Sequence, residues 1–169
     1  VGVLSAALKK DKLDAAGYAE MMRVTTQLNT PGPALAALEG VHAMTDVTGF
    51  ALAGHALEMA RGAACTVQLD WQNVPFLTGV RELARQGCIT GASGRNWAAY
   101  GHDVSLPVVF SAVDQALLTD PQTSGGLMVA CAPDAVAAVM AIFRAQGFAD
   151  AADIGEVGAF NGATHLALR

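Results

Sequence analysis

Val41-His42-Ala43-Met44-Thr45-Asp46-Val47 is a short run, apolar at several positions, and Thr48-Gly49 follows it directly. Beyond that pair, Phe50, Ala53, Leu57 and Ala60 recur at the spacing of one helical face. The stretch reads as a strand, a tight polar turn and a helix, a unit from which α/β domains are built. Upstream, Val3 to Leu13 and Asp14 to Leu28 carry helical spacing, and a short helix through Leu38, with Thr30 as its cap and Pro31 in its first turn, stops at Gly40. Downstream, Thr66 to Trp71 alternates Val67, Leu69 and Trp71 against polar residues, the pattern of a half-buried strand. Phe76 to Ala84 returns to helix. Gly87 to Gly101, with four glycines, Ser93, Arg95 and Asn96, reads as an irregular or part-helical loop. Asp114 to Leu118 fits one or two helical turns, Leu127 to Ala132 a buried strand, and Asp134 the cap of a helix to about Gln146. Ile154 to Val157 and His165 to Leu168 are the last strands. The expectation is a single α/β (α+β) domain over residues 1–169, a mixed sheet of four or five strands packed with at least five helices.

Composition narrows the function. At 53% apolar and 15% charged, the 169 residues are too hydrophobic for intrinsic disorder and can bury one sizeable core. The net charge of −5 opposes a broad nucleic-acid or anionic-membrane surface. Ser124 to Phe143, the longest weakly charged stretch, is broken by Gly125, Gly126, Pro133 and Asp134, so it is no membrane span. No secretory leader opens the chain, and Cys65, Cys88 and Cys131 are odd in number and scattered, which fits a reducing cytoplasm. Val1 enters at once into a helical pattern, as a piece of a longer polypeptide would.

Three polar segments interrupt the apolar pattern. In Thr45-Asp46-Val47-Thr48-Gly49-Phe50, an aspartate at the carboxyl end of a strand faces a helix start, where open α/β sheets commonly bind ligands. A carboxylate beside a phosphate is repulsive, about 1 kcal/mol for unit charges roughly 4 Å apart in water, and a bridging divalent cation reverses the sign. Magnesium suits that role because it takes one or two carboxylates together with waters and substrate phosphates. The competing reading is that Asp46 or Thr48 only caps the following helix. Asp120-Pro121-Gln122-Thr123-Ser124-Gly125-Gly126 offers hydrogen-bonding side chains and two glycines that permit close approach, as a phosphate-facing loop or an ordinary turn requires. Gly91 to Trp97 offers Arg95 and Asn96, suited to holding an anion or another loop, with a structural carboxylate as the competing reading for Arg95. His55 with Glu58, and Glu58 with Arg61, read as a solvated salt-bridged face, and Lys9, Lys10 and Lys12 as a wet helix end. The cysteines lack metal-site spacing and read as small hydrophobes, and the six methionines as core filling.

Taken in order, these segments resemble the carboxyl-terminal half of selenophosphate synthetase, also called selenide, water dikinase. The resemblance rests on Gly2-Val3-Leu4 with Ala6-Ala7-Leu8-Lys9, on Thr45 to His55, on Gly94-Arg95-Asn96-Trp97-Ala98-Ala99-Tyr100-Gly101, on Asp120 to Leu127, and on Ile154-Gly155-Glu156-Val157. It implies an ATP-dependent, magnesium-requiring, cytoplasmic and homodimeric enzyme that makes selenophosphate, AMP and phosphate from selenide, ATP and water. It implies a fold like the carboxyl-terminal domain of aminoimidazole ribonucleotide synthetase. Asp46 matches the family's one metal-binding aspartate in this half, and Thr48, Gly49, Asn96, Gln122, Thr123 and Ser124 match motif positions expected at the ATP cleft. The family's catalytic cysteine or selenocysteine, its essential lysine and most of its metal-binding aspartates belong to the other half, so this chain alone is expected to hold no catalytic residue and to be inactive. Ala51 stands where the family usually has glycine; its methyl suits a helix but crowds a close backbone contact. The alternatives are a domain of another ATP-using relative of aminoimidazole ribonucleotide synthetase, or a non-catalytic docking module.

Overall fold

A computed structural model describes residues 1–160 and 162–169. Helices α1 (Gly2–Lys9), α2 (Ala15–Thr26) and α3 (Gly32–Ala36) lead into strand β1 (Val41–Asp46) and helix α4 (Ala51–Gly62). Strand β2 (Cys65–Leu69) and helices α5 (Val80–Arg85) and α6 (Gly91–Tyr100) follow, then the short β3 (Val104–Ser105) and α7 (Ala112–Leu118). The chain continues through β4 (Leu127–Cys131), α8 (Val136–Ala145), β5 (Gly155–Ala159) and β6 (Leu166–Leu168).

The strands form two sheets. The mixed sheet has the order β3-β6-β2-β5, with β2 antiparallel to β5 and parallel to β6. The second is a two-stranded antiparallel ribbon of β1 and β4, in which Asp46 pairs with Leu127 and Thr45 with Met128. Helix α4 packs on β2, β1 and β6, and so joins the two. Its inward face is small: Ala53, Ala56 and Ala60 are fully buried, with Leu57 at 1% exposure. Alanine is the best intrinsic helix former and lets a sheet backbone come close, so the same residues make the helix and its packing face. The larger core joins that face to Val3, Leu4 and Ala7 of α1, Leu69, Leu118 and Leu166. A smaller one gathers Leu35, Val139 and Phe143 against the ribbon. The ribbon thus has its own hydrophobic support, which keeps the carboxyl end of β1 in place.

Several local expectations change. The strand expected through Trp71 ends at Leu69, because Trp71 starts a 3-10 turn and packs edge-on against Phe76, 5.1 Å between ring centroids. The helix expected from Phe76 begins at Val80, after Gly79 takes the left-handed conformation at φ 77°. Residues 87–101 are mostly regular helix: Thr90 accepts a hydrogen bond from the Ser93 backbone N–H at 3.2 Å and starts α6. Neither Thr30 nor Asp134 caps a helix; Pro31 precedes α3 and a 3-10 turn over Pro133–Ala135 precedes α8. Strand β4 is half-buried along its length rather than buried. The described residues form six strands, more than the four or five expected, and eight α-helices, in line with at least five.

Candidate functional site

β1 ends at Asp46, and the next four residues turn into α4. The Asp120–Gly126 segment lies directly against that turn. The Val47 N–H donates to the Gly126 carbonyl at 2.9 Å, and the Gln122 N–H donates to the Thr48 carbonyl at 3.0 Å. Gly125 packs so closely that a Cβ on it would stand 1.8 Å from the Val47 oxygen. Only glycine fits there, whereas Gly126 has open space around its missing side chain. The third polar segment is tied to the other two through Asn96. Asn96, on α6 and 8% exposed, donates through Nδ2 to the Gly49 carbonyl at 2.9 Å and to the Thr119 carbonyl at 3.2 Å. All three segments are therefore in direct contact.

The expected site residues divide into two groups. Asp46, Gly49, Thr123 and Ser124 are exposed, and Thr48 is half-buried. Asn96 and Gln122 instead brace the loops. Gln122 donates to the Asp120 carbonyl at 2.8 Å and accepts from the Val1 nitrogen at 2.9 Å. Ser124 takes φ 48°, a left-handed conformation that costs a non-glycine residue about 1 kcal/mol. Asp120 was legible only as part of the loop, yet it is 4% exposed and reaches across to α1, where its Oδ2 accepts from the Val3 N–H at 3.1 Å. Burial pushes its carboxyl above the usual range, against the opposing pull of the Val3 N–H.

Neither Asp46 nor Thr48 caps α4, which has Phe50 at its N-cap and no side-chain cap bond. The Thr48 hydroxyl lies 3.1 Å from His55 Nε2. His55 is 7% exposed, so it is no part of a solvated face, although its Nδ1 does lie 2.9 Å from Glu58 Oε2. Arg61 turns away from Glu58 to Asp103, with Nε 2.9 Å from Oδ2. Tyr100 donates its hydroxyl to the Phe50 carbonyl at 2.6 Å, and burial pushes its phenol up to about 12. Arg95 is exposed and makes no ion pair among the described residues, so the structural carboxylate expected for it is not there. Lys10 and Lys12 are exposed as expected, with Lys10 Nζ reaching the Gly87 carbonyl at 2.6 Å. Cys88 is fully buried and all three cysteines are free. None of the six methionines is fully buried: Met21, Met44 and Met128 pack against the two cores, and Met22 is 42% exposed.

Ala51 adopts φ 63° with its methyl fully buried. The methyl therefore does not sit in helical geometry, and the residue carries left-handed strain of about 1–2 kcal/mol. Ala51→Gly gives up roughly 0.8 kcal/mol of methyl burial and removes that strain, so a net gain of about 0.5 kcal/mol is expected. A raised urea midpoint at unchanged slope would show it.

No group of three or more His, Cys, Asp or Glu among the described residues can hold a metal ion. What the site does offer is the exposed Asp46 carboxylate, without a protein partner among the described residues, two residues before a half-buried hydroxyl. That donor set fits magnesium as a partial site, one hard oxygen ligand with room for waters, and does not fit a complete protein cage.

Residues 2–165 match the family model described as AIR synthase related protein, C-terminal domain. The chain belongs to this family. Relatives named selenide, water dikinase include one from Burkholderia pseudomallei, 66% identical over 157 residues, which make up 93% of this chain and 44% of that protein. The relative from Pseudomonas straminea is 57% identical over the same shares, and that from Rhizobium meliloti 50% identical over 94% of this chain and 46% of its own length. The chain thus spans less than half the length of these relatives, and the expected likeness to the C-terminal half of selenophosphate synthetase holds. E. coli HypE, a hydrogenase maturation protein, shares the fold: TM-score 0.58 at 17% identity, over 82% of this chain and 34% of that one. No helix among the described residues is long and apolar enough to cross a membrane.

Proposed function

We propose that this chain is the single C-terminal domain of a two-domain, ATP-dependent selenophosphate synthetase, which makes selenophosphate, AMP and phosphate from selenide, ATP and water. The observation that carries the reading is 50–66% identity to relatives named selenide, water dikinase over 93–94% of the chain. The direct contact between the turn that follows Asp46 and the 120–126 loop supports it, because phosphoryl transfer is catalysed mainly by positioning and charge neutralisation.

Within this reading Asp46 contributes one oxygen ligand to magnesium, and Gly49, Thr123 and Ser124 face the nucleotide phosphates. Asn96 and Gln122 hold those two loops in register from behind. Bound magnesium would supply charge neutralisation between Asp46 and the phosphates. One carboxylate and two loops make an incomplete site, so the chain by itself is catalytically silent and ATP binds mainly through the rest of the enzyme. The whole enzyme is a cytoplasmic homodimer that binds neither nucleic acid nor membrane. Three free cysteines and a net charge of −5 support that placement.

The test uses the full-length protein with ATP, magnesium and selenide, followed by phosphorus NMR. The expected result is AMP and a selenophosphate signal that both require selenide. Formation of ADP alone, or of AMP indifferent to selenide, would overturn the assignment in favour of another ATP-using relative.

A further inference from the structure

We infer that His55 is a positioning residue for the Thr48 hydroxyl, turning its oxygen toward the hydration shell of the cation at Asp46 rather than toward a phosphate. This rests on the proposed reading of Asp46 and adds a role for two residues behind it. His55 comes from the second turn of α4, is 7% exposed, and lies between the Thr48 hydroxyl and the Glu58 carboxylate. Glu58 Oε2 is 2.9 Å from Nδ1 but off the direction of a good hydrogen bond, so the contact is chiefly electrostatic. It still decides the tautomer. A bare ring lone pair facing a carboxylate at that distance is repelled, whereas an N–H is attracted, so in the neutral ring Nδ1 carries the proton.

Nε2 is then an acceptor, and the partner 3.1 Å away must donate. Threonine has one hydroxyl proton. Once it is given to Nε2, Oγ1 has only lone pairs left and cannot donate to a phosphate oxygen. It can accept from a water, and magnesium keeps several waters whose O–H groups seek acceptors. Thr48 stands two residues beyond Asp46 on the same turn, and its carbonyl is fixed by the Gln122 and Ala51 N–H groups at 3.0 and 2.9 Å. The carboxylate and the polarised hydroxyl thus form a pair of acceptors for a hydrated cation. Partners that orient a metal's ligands in this way typically matter about 10–100-fold for affinity.

The test is a magnesium titration of nucleotide binding to the full-length protein, by calorimetry and without selenide. Thr48→Val and His55→Leu are each expected to raise the magnesium midpoint about tenfold, and the double variant to raise it no further, because they remove one shared interaction. His55→Gln, whose amide oxygen can accept from Thr48, should stay within about threefold of the parent. Additive effects would overturn the inference, as would an unchanged midpoint in His55→Leu or weakened magnesium-free nucleotide binding in Thr48→Val. If His55→Leu does not fold, Thr48→Val decides alone: a raised midpoint with unchanged magnesium-free affinity supports the inference, and an unchanged midpoint ends it. Asp46→Asn separates the two levels. An unchanged midpoint there removes the cation site and this inference together, whereas an unchanged midpoint confined to His55→Leu removes only the role of His55.

Discussion

Replacing Gly125 by alanine is expected to cost about 3 kcal/mol of stability, at the upper end for the insertion of a single methyl group. The new Cβ would stand 1.8 Å from the Val47 carbonyl oxygen and 3.1 Å from the Gln122 Cβ. The first obstacle is backbone, at the junction of β1 and α4, so no rotamer change relieves it. The glycine cannot simply retreat, because its own carbonyl accepts from Asn29 Nδ2 at 2.9 Å. Moving the 120–126 loop outward would also break the bond from the Val47 N–H to the Gly126 carbonyl. The loss should therefore appear both in thermal unfolding and, in the full-length protein, in weaker nucleotide binding, since the same contact holds the two loops together. Gly126→Ala is the matched control. Nothing lies within 4 Å of its missing side chain, and a change within about 0.5 kcal/mol is expected. Equal effects in the two variants, or none in Gly125→Ala, would show that the close approach is not what the loop depends on.

The β1–α4 unit was legible because its pattern is the one that packing enforces. Ala53, Leu57 and Ala60 are inside for the same reason that they recur at helical spacing. Phe50, read onto the same face, is 56% exposed, since it precedes the helix and the backbone reverses at Ala51. Helix α6 was only partly legible for a complementary reason. Its buried residues are Ser93, Asn96 and Tyr100, and two of these are polar, so the inward stripe carries no hydrophobic signal. The Thr90 cap, three residues before Ser93, was the available sign. His55 escaped correct placement, and the partners of Asn96 went unread, because each is buried by contacts outside its own helix. His55 meets Thr48 in the preceding turn, and Asn96 meets Gly49 and Thr119 at separations of 47 and 23 residues. Local periodicity carries no information about such pairings. The motif order did carry the resemblance, and with it the expectation that distant polar segments share one site. What that expectation lacked was the division of labour, in which Asn96 and Gln122 turn their polar groups inward as braces.

Asp46→Asn in the full-length enzyme is expected to lower magnesium-dependent ATP turnover roughly a hundredfold, the scale of a lost charge at a metal-clamped phosphoryl group. The unfolding midpoint should barely move. Asp46 is exposed and its carboxylate has no partner among the described residues, while its pairing with Leu127 in the ribbon is a backbone matter that asparagine preserves. Substitutions at such positions usually change stability by less than about 0.5 kcal/mol. The sign of a second measurement separates a metal ligand from a direct phosphate contact. Without a cation, a carboxylate near a triphosphate is repulsive, so neutralising it should tighten magnesium-free nucleotide binding slightly, by a few-fold for about 1 kcal/mol of relieved repulsion. With magnesium present the same change should weaken binding, because the attraction between ligand and ion is lost. Turnover that survives the substitution, or binding that weakens equally with and without magnesium, would place Asp46 outside the cation's reach. A loss of turnover that merely followed a falling unfolding midpoint would make the residue structural. A fall in turnover with opposite shifts in the two binding titrations is the outcome that the proposed role of Asp46 as a magnesium ligand requires.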